Sequence, residues 1–447
     1  MSTIAAPATP PGESALAVIR VSGSEAERLS LEACGRKSPT LPRQATFAKY
    51  IALDGLLLDE VIAIRYEHGK SYTGEAMLEI MSHGNPRIVR LILEDLYARG
   101  CTPAEPGEFT RRAFLNGRLD LSQAEGVIDL IQARSARALK VAQRQMQGAL
   151  GEQMSQLADD IVTVQAKVEA YIDFPEEDLP HPDISIENLE EVSDRIRKLL
   201  NTSSYREQMQ DGIKVLIVGA PNAGKSSLIN RLLNDERAIV SSTPGTTRDF
   251  LRERLEIDGH LIQIIDTAGL RDEASEIEQA GINRAIQLAK SADLFLLVVD
   301  AADHSPTLPH PLINRLLPGN TLVLENKIDL PSASAKQDFL PDFPHCRASM
   351  TTGQGWSDFL EALKQKLSAL PYPSEDLDIA INARHADALK RALDAIQSAC
   401  RLLANQGELE LIATEIRSAL DAIAEVVGRI DNEAMLDKLF AQFCIGK

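Results

Sequence analysis

Three short stretches of this chain hold the residue types, in the right order, that a nucleoside triphosphate site requires. Gly219-Ala-Pro-Asn-Ala-Gly224-Lys225-Ser226 matches the Gly-x-x-x-x-Gly-Lys-Ser phosphate loop and follows the apolar run Lys214-Val-Leu-Ile-Val218. Glycines let the backbone wrap closely round phosphates, Lys225 suits the β- and γ-oxygens, and the Ser226 hydroxyl suits Mg2+. Asn222, Ala223, Gly224 and Ser227 belong to the same cradle. Asp266-Thr267-Ala268-Gly269 follows a second apolar run, Leu261-Ile-Gln-Ile-Ile265. Its carboxylate can hold Mg2+ through water, and the Gly269 amide can meet the γ-phosphate. Asn326-Lys327-Ile328-Asp329 follows a third run, Thr321-Leu-Val-Leu324. A carboxylate there accepts two hydrogen bonds from the guanine N1–H and 2-amino group, which adenine cannot offer. A polar group left unpaired by the wrong base discriminates strongly. The three motifs together predict a GTP site.

Between the first two motifs lies Ser241-Ser242-Thr243-Pro244-Gly245-Thr246-Thr247-Arg248-Asp249. Small residues and hydroxyls suit a switch that rearranges round the γ-phosphate, with Thr247 as a second ligand for Mg2+. Many GTPases follow Asp-Thr-Ala-Gly with a glutamine that orients the attacking water. Here Leu270 stands in that place and cannot position water. Glu273, Glu276 and Glu278 are candidates for the task; the other reading is a solvated second switch whose carboxylates have no such role.

Each motif must be delivered by a strand, and the phosphate loop must open a helix near Lys225. Residues 1–116 hold short apolar runs with turn signals, such as Leu16-Ala-Val-Ile-Arg-Val21 and Val61-Ile-Ala-Ile64, and a helix-like stretch over 87–97. That mixture predicts an α+β domain. Over 117–211 the pattern turns helical. Leu150, Met154, Leu157, Ile161, Val164 and Val168 form one core-facing stripe, and a second amphipathic helix is expected over about 186–200. The α/β nucleotide domain spans 212–373, and helical periodicity resumes over 374–447, where Leu409, Ile412, Ile416, Leu420, Ile423 and Val427 share a face. The expected fold is multidomain α/β and α: one helical bundle with the P-loop domain inserted into it, joined by two connections.

At 447 residues the chain has room for two to four cores. Cys34, Cys101, Cys346, Cys400 and Cys444 show no Cys-x-x-Cys, so neither a disulfide frame nor a zinc site is expected. With no signal-peptide pattern and no membrane-length apolar run, the expected location is cytoplasmic, without a membrane partner. A net charge of −18 excludes a promiscuous, electrostatically driven nucleic-acid binder. Arg134, Arg137, Lys140 and Arg144 recur at helical spacing and form one candidate basic face, with Arg111 and Arg112 as further candidates; the other reading is an ordinary solvated helix face.

Over essentially its full length the chain resembles the MnmE (TrmE) family of tRNA modification GTPases. The likeness rests on Ala8-Thr-Pro-Pro-Gly12, Tyr72-Thr-Gly-Glu75, Pro106-Gly-Glu-Phe109, Arg112-Ala-Phe-Leu-Asn116, Gly245-Thr-Thr-Arg-Asp249, Asp266-Thr-Ala-Gly-Leu270 and the terminal Phe443-Cys-Ile-Gly-Lys447. The resemblance implies an N-terminal tetrahydrofolate-binding and dimerisation domain, a helical domain and an inserted Ras-like GTPase domain. It implies a homodimer that works with the flavoprotein MnmG, as a heterotetramer, on tRNA. The reaction would add an aminomethyl or carboxymethylaminomethyl group to C5 of the wobble uridine, with a 5,10-methylene or 5-formyl tetrahydrofolate as one-carbon source.

Carried over by position, the resemblance implies a K+ site at Asn222, Ser241, Thr243 and Thr246, where the cation offsets phosphoryl charge as an arginine finger would. It implies Glu278 as the water-orienting residue, and Cys444 as a participant in the modification step. Base recognition is completed in the family by a Ser-Ala pair; here Ser349-Met350, followed by Thr351, sets a bulkier side chain beside the guanine. The folate positions are Arg20, Glu79, Arg118 and Lys447, with Arg118 where the family has lysine. The competing reading is a ribosome-assembly-type GTPase switch; the N-terminal domain and the terminal Cys-Ile-Gly-Lys favour the modification enzyme.

Overall fold

A computed structural model describes residues 2–35, 38, 40–173, 186–203, 206, 212–235, 237–238, 252–266, 287–306, 308–336, 338–370, 379–428, 433–441, 443 and 445–446. The chain forms two compact units, one of residues 1–128, 145–189 and 394–447, the other of 129–144 and 190–393. It therefore passes between units at 128/129, 144/145, 189/190 and 393/394, four crossings where the sequence suggests two.

The first unit begins with strands β1 (Ile4–Pro7), β2 (Ser14–Ser22), β3 (Thr46–Ile51), β4 (Leu57–Tyr66), β5 (Met77–Gly84) and β6 (Thr102–Pro103). They make one sheet in the order β3-β4-β5-β2-β1-β6, antiparallel except for the β1–β6 pair. Helices α1 (Ala26–Glu32) and α2 (Pro86–Ala98) cover one face, burying Leu29, Ile92 and Leu96 against Ile19, Val21, Leu78 and Ile80. Asn85 caps α2 by accepting from the Arg87 N–H at 2.9 Å, and Pro86 opens the helix where no N–H is needed. Strand side chains alternate in direction, so Arg20 and Glu79, between those core positions, face the other side of the sheet.

The same unit continues with α3 (Glu108–Leu115) and α4 (Leu121–Gln132); α5 (Ala136–Met146), α6 (Ala149–Asp173) and α7 (Ile186–Asn201) follow along the chain. The stripe expected on α6 is buried at all six positions. Its partner is a later helix over Leu409–Val427, numbered α12 below. The buried seam of that helix is Ile412, Ala413, Ile416, Ala419, Ala422, Ile423 and Val426. Leu409, Leu420 and Val427 sit only at its margin. Three alanines, Ala413, Ala419 and Ala422, thus share the seam with Ile412, Ile416 and Ile423 of the expected stripe.

The second unit holds β7 (Ile213–Gly219), β8 (Arg237–Ala238), β9 (Arg252–Ile257), β10 (His260–Asp266), β11 (Leu294–Asp300), β12 (Thr321–Asn326) and β13 (His345–Arg347). Their order is β13-β12-β11-β7-β10-β9-β8. The first five run parallel, and β9 and β8 add an antiparallel edge. Helices α8 (Lys225–Asp235), α9 (His310–Ile313) and α10 (Trp356–Ala369) lie along this part of the chain; α11 (Ala383–Ala404) runs across the 393/394 division, and α12 and α13 (Glu433–Phe440) belong to the first unit. The strands expected at all three motifs form, and α8 starts at Lys225 as the phosphate loop requires. The near-continuous apolar character of β11 and β12 reflects burial on both faces, as parallel strands need.

Because Ile161 is fully buried in α6, Ile161→Ala is expected to destabilise the first unit by about 2–5 kcal/mol. Urea denaturation followed by circular dichroism measures it.

Candidate functional site

In the second unit β7 is the switch point of the sheet, with β10 on one side and β11 on the other, both parallel to it. Ligands of such sheets bind where neighbouring crossovers diverge, beyond the carboxyl ends of the strands. Gly219 ends β7 so close to β11 that an added Cβ would lie 2.2 Å from the Val298 carbonyl oxygen. The loop then turns through Asn222 at φ 61° and Gly224 at φ 103°. The Lys225 ammonium donates to the carbonyls of Gly219 at 2.9 Å and Ala220 at 2.8 Å, so it lies over the loop it must serve. Ser226 and Ser227 are exposed in the first turn of α8, where the leading N–H groups have no intrahelical partner.

The base end is joined to this loop by one side chain. Asn326, only 2 % exposed, donates from Nδ2 to the Ala223 carbonyl at 2.9 Å. Its Oδ1 accepts the Met350 N–H at 3.0 Å. Gly224 leaves the room this needs, since a Cβ there would meet Asn326 Nδ2 at 2.0 Å. Lys327 adopts φ 66°, and its ammonium meets the Asp300 carboxylate at 2.6 Å. Burial pushes the Asp300 carboxyl up, but hydrogen bonds from Lys327 and the Ala302 N–H outweigh it and hold the group below the usual carboxylate range. Asp329 is exposed just beyond. Ser349 Oγ accepts the Thr352 N–H at 3.1 Å, which closes the 349–352 turn, with Thr351 exposed on it. The Met350 side chain, which the sequence sets near the guanine, is buried. It is 6 % exposed and packs into the core with Ala223, Leu228 and Phe359.

Asp266 ends β10, in register with Ile217 of β7. Its side chain, with Ser241, Ser242, Thr243, Pro244, Gly245, Thr246 and Thr247, then Thr267, Ala268, Gly269, Leu270, Glu273, Glu276 and Glu278, lies outside the described residues. So do Cys444 and Lys447.

In the first unit Arg20 and Glu79 are cross-strand neighbours on β2 and β5, and Arg20 Nε donates to Glu79 Oε1 at 2.8 Å. The Tyr66 hydroxyl donates to Glu79 Oε2 at 3.0 Å, and the Arg20 guanidinium lies 5.8 Å from the Tyr72 ring centre. Burial first, then the Glu79 charge, raises the Tyr66 hydroxyl above its ordinary pKa. The pair is thus already satisfied internally, though a carboxylate keeps further lone pairs for a donor. The C-terminal tail crosses here. Arg20 Nη1 donates to the Gly446 carbonyl at 3.4 Å, and Ile445 bridges to Pro106. Gly446 has φ 93° and sits so near Pro7 that a Cβ would meet its carbonyl oxygen at 2.0 Å. Arg118 is exposed, its stem packed over Gly74.

Arg112 leaves the list of basic-face candidates. It is 3 % exposed, and its guanidinium binds Glu75, Glu108 and the Ser2 carbonyl in a buried network with Ser22 and Thr73. Arg111 pairs with Asp437 at 3.0 Å. Arg134, Lys140 and Arg144 are exposed, whereas Arg137 is half-buried beside His260. The sequence reading missed Asp300, Tyr66 and Tyr72 as site residues. Asp300 carried a signal, a carboxylate closing the apolar run Leu294-Phe-Leu-Leu-Val-Val299. No described helix is long and apolar enough to cross a membrane.

A family model described as the MnmE helical domain matches residues 121–444, and one described as the GTP-binding protein TrmE N-terminus matches residues 3–118. The chain is 47 % identical to the tRNA modification GTPase MnmE of Opitutus terrae over 448 residues, covering 100 % of this chain and 99 % of that one. It is 40 % identical to the protein of that name from Akkermansia muciniphila, covering 100 % of this chain and 99 % of that one. The corresponding Aquifex aeolicus protein is 38 % identical, with 99 % of each chain covered.

Gly224→Ala would force a methyl group onto Asn326 Nδ2 and strain a left-handed backbone position. Loss of measurable nucleotide binding, with helix content retained, is the expected result by calorimetric titration and circular dichroism.

Proposed function

The chain belongs to the family of the tRNA modification GTPase MnmE, and on that premise we propose that it hydrolyses GTP to drive modification of the wobble uridine of tRNA. The observation that supports a guanine-nucleotide site most directly is the Asn326 carboxamide. It holds the phosphate loop at Ala223 and the base-side turn at Met350 in one buried pair of hydrogen bonds. In this reading Gly219 to Ser227 cradle the phosphates, Lys225 swings from the loop carbonyls to the β- and γ-oxygens, and Asp329 reads the guanine N1–H and 2-amino group. Ser349, Met350 and Thr351 close the base pocket through backbone groups.

Ser226 and Thr247 would hold Mg2+, which supplies charge neutralisation at the phosphates; the exposed Ser226 hydroxyl at the start of α8 fits that role. Asn222, with Ser241, Thr243 and Thr246, would hold K+, which supplies the charge that an arginine finger gives other GTPases. Asn222 is exposed at a left-handed turn of the loop, so its carboxamide is presented outward. Glu278 orients the attacking water in place of the glutamine that Leu270 replaces. Asp266, Thr267, Ala268 and Gly269 form the second switch at the end of β10.

The N-terminal domain is proposed to bind a 5,10-methylene or 5-formyl tetrahydrofolate, which supplies one carbon. Glu79 suits the donor edge of the pterin, and Arg20, Arg118 and Lys447 suit carboxylates of the glutamate tail. Seating such a ligand means sharing Glu79 with Arg20 and Tyr66. The tail crossing at Arg20 supports this reading, because it brings the Gly446 carbonyl to the Arg20–Glu79 pair. The active assembly in this reading is a homodimer joined to MnmG, located in the cytoplasm. The alternative of a ribosome-assembly switch gains no comparable support.

Hydrolysis is expected to be faster in K+ than in Na+ and to lose that preference in Asn222→Ala; equal rates in both salts would remove the cation assignment. Glu278→Ala should slow turnover on the order of 100-fold while GTP affinity is kept, as measured by single-turnover hydrolysis and nucleotide titration. Mass spectrometry of tRNA from a strain lacking this gene should show wobble uridine without its C5 substituent. Normal modification there would refute the tRNA role.

A further inference from the structure

We propose that Arg231 is a positioning residue for guanine selection, a role that rests on the GTP reading above. Arg231 lies on α8, the helix whose first turn carries Lys225 and Ser226, yet its side chain serves the opposite end of the nucleotide site. Nη1 donates to the Met350 carbonyl at 3.0 Å, and the guanidinium lies 5.1 Å from the Trp356 ring centre. Nη2 fills the space beside Gly353, only 2.5 Å from where a Cβ would stand, and Gly353 is at φ 85°. The remaining nitrogen, Nε, makes no hydrogen bond and is 3.8 Å from the Asp235 carboxylate. A flat cation that stacks on a ring while donating sideways is a task lysine cannot duplicate.

The consequence follows from peptide planarity. The Met350 C=O and the Thr351 N–H belong to one trans peptide and point in opposite directions. By holding the carbonyl toward α8, Arg231 turns the Thr351 N–H outward. The preceding peptide is fixed by the Met350 N–H on Asn326, and the turn is closed by Ser349 and Gln354. The outward N–H is a donor suited to the carbonyl oxygen at position 6 of guanine. Asp329 reads the other two groups, so the 6-position is selected through a residue that never touches the base.

The test compares three diphosphates on the full chain: GDP, IDP (which keeps the 6-oxygen but lacks the 2-amino group) and 2,6-diaminopurine riboside diphosphate (which carries an amino group in place of the 6-oxygen and has no N1–H, a loss at Asp329 that is common to wild type and variant). Arg231→Ala is expected to lower the preference for GDP over the diaminopurine nucleotide about tenfold, roughly 1.4 kcal/mol. Arg231→Lys, which keeps a donor, should lower it less. The GDP-to-IDP ratio and the GTP turnover at saturation should stay at wild-type values. A role confined to packing would lower the melting temperature and leave the diaminopurine ratio unmoved. That ratio within about twofold of wild type in every variant that folds, or an equal change in the IDP ratio, overturns the proposal. A wild-type chain with no preference for GDP over ADP would instead bring down the GTP reading itself.

Discussion

The nucleotide unit depends on a side chain that touches two loops and very little water. Asn326 is the last residue of β12, and its carboxamide satisfies a carbonyl of the phosphate loop and an N–H of the 349–352 turn. Each of those backbone groups would cost about 1–3 kcal/mol if left buried and unpaired. The bonds therefore make phosphate and base ends one rigid object, which is what a site needs if binding a base is to set the geometry at a phosphate. The constraint propagates into sequence. Gly224 cannot carry a side chain because Asn326 occupies that space, and Gly219 cannot because Val298 does.

A different rule governs the N-terminal sheet. There the period of two separates core from charge: Ile19 and Val21 go to the helices, and Arg20 between them faces the other side. Glu79 obeys the same alternation between Leu78 and Ile80. The register of β2 with β5 then sets the two charges directly opposite each other, so their pairing needs no loop to arrange it. A slip of one residue would bury both charges and expose the core. The ion pair and the core are thus specified by the same register. The tail adds a contact from the far end of the chain, and it does so through glycine backbone at Gly446, where a side chain would strike Pro7.

Periodicity and motif carried most of this architecture on the surface of the sequence. The α6 stripe, the strands delivering each nucleotide motif and the helix opening at Lys225 all follow from local patterns that the tertiary fold does not oppose. The misses have a common cause. Arg112 looks like a surface cation beside Arg111, but Glu75, brought in from a distant turn, takes it into the interior. Met350 looks like a side chain set near the base, but it packs into the core beneath the turn. On α12 the seam takes in Ala413, Ala419 and Ala422 beside three isoleucines of the expected stripe, because small side chains pack there as well as large ones. Each outcome depends on a partner remote in sequence, and no local window contains that partner.

Backbone strain points to the same place. Non-glycine residues held at positive φ cost about 1–3 kcal/mol each and persist only where the surroundings dictate them. Among the described residues six adopt such values, and two of these, Asn222 and Lys327, belong to the nucleotide motifs. Lys327 follows the anchored Asn326 and is held from the other side by Asp300, a carboxylate whose ionised form is favoured by that contact. Asn222 is followed by Ala223, whose carbonyl Asn326 also grips. Both strained residues therefore adjoin the two groups that the Asn326 carboxamide fixes or belongs to. The strain is sustained by those hydrogen bonds, and in return it turns the Asn222 carboxamide and the Lys327 stem out of the helical and extended paths their neighbours follow.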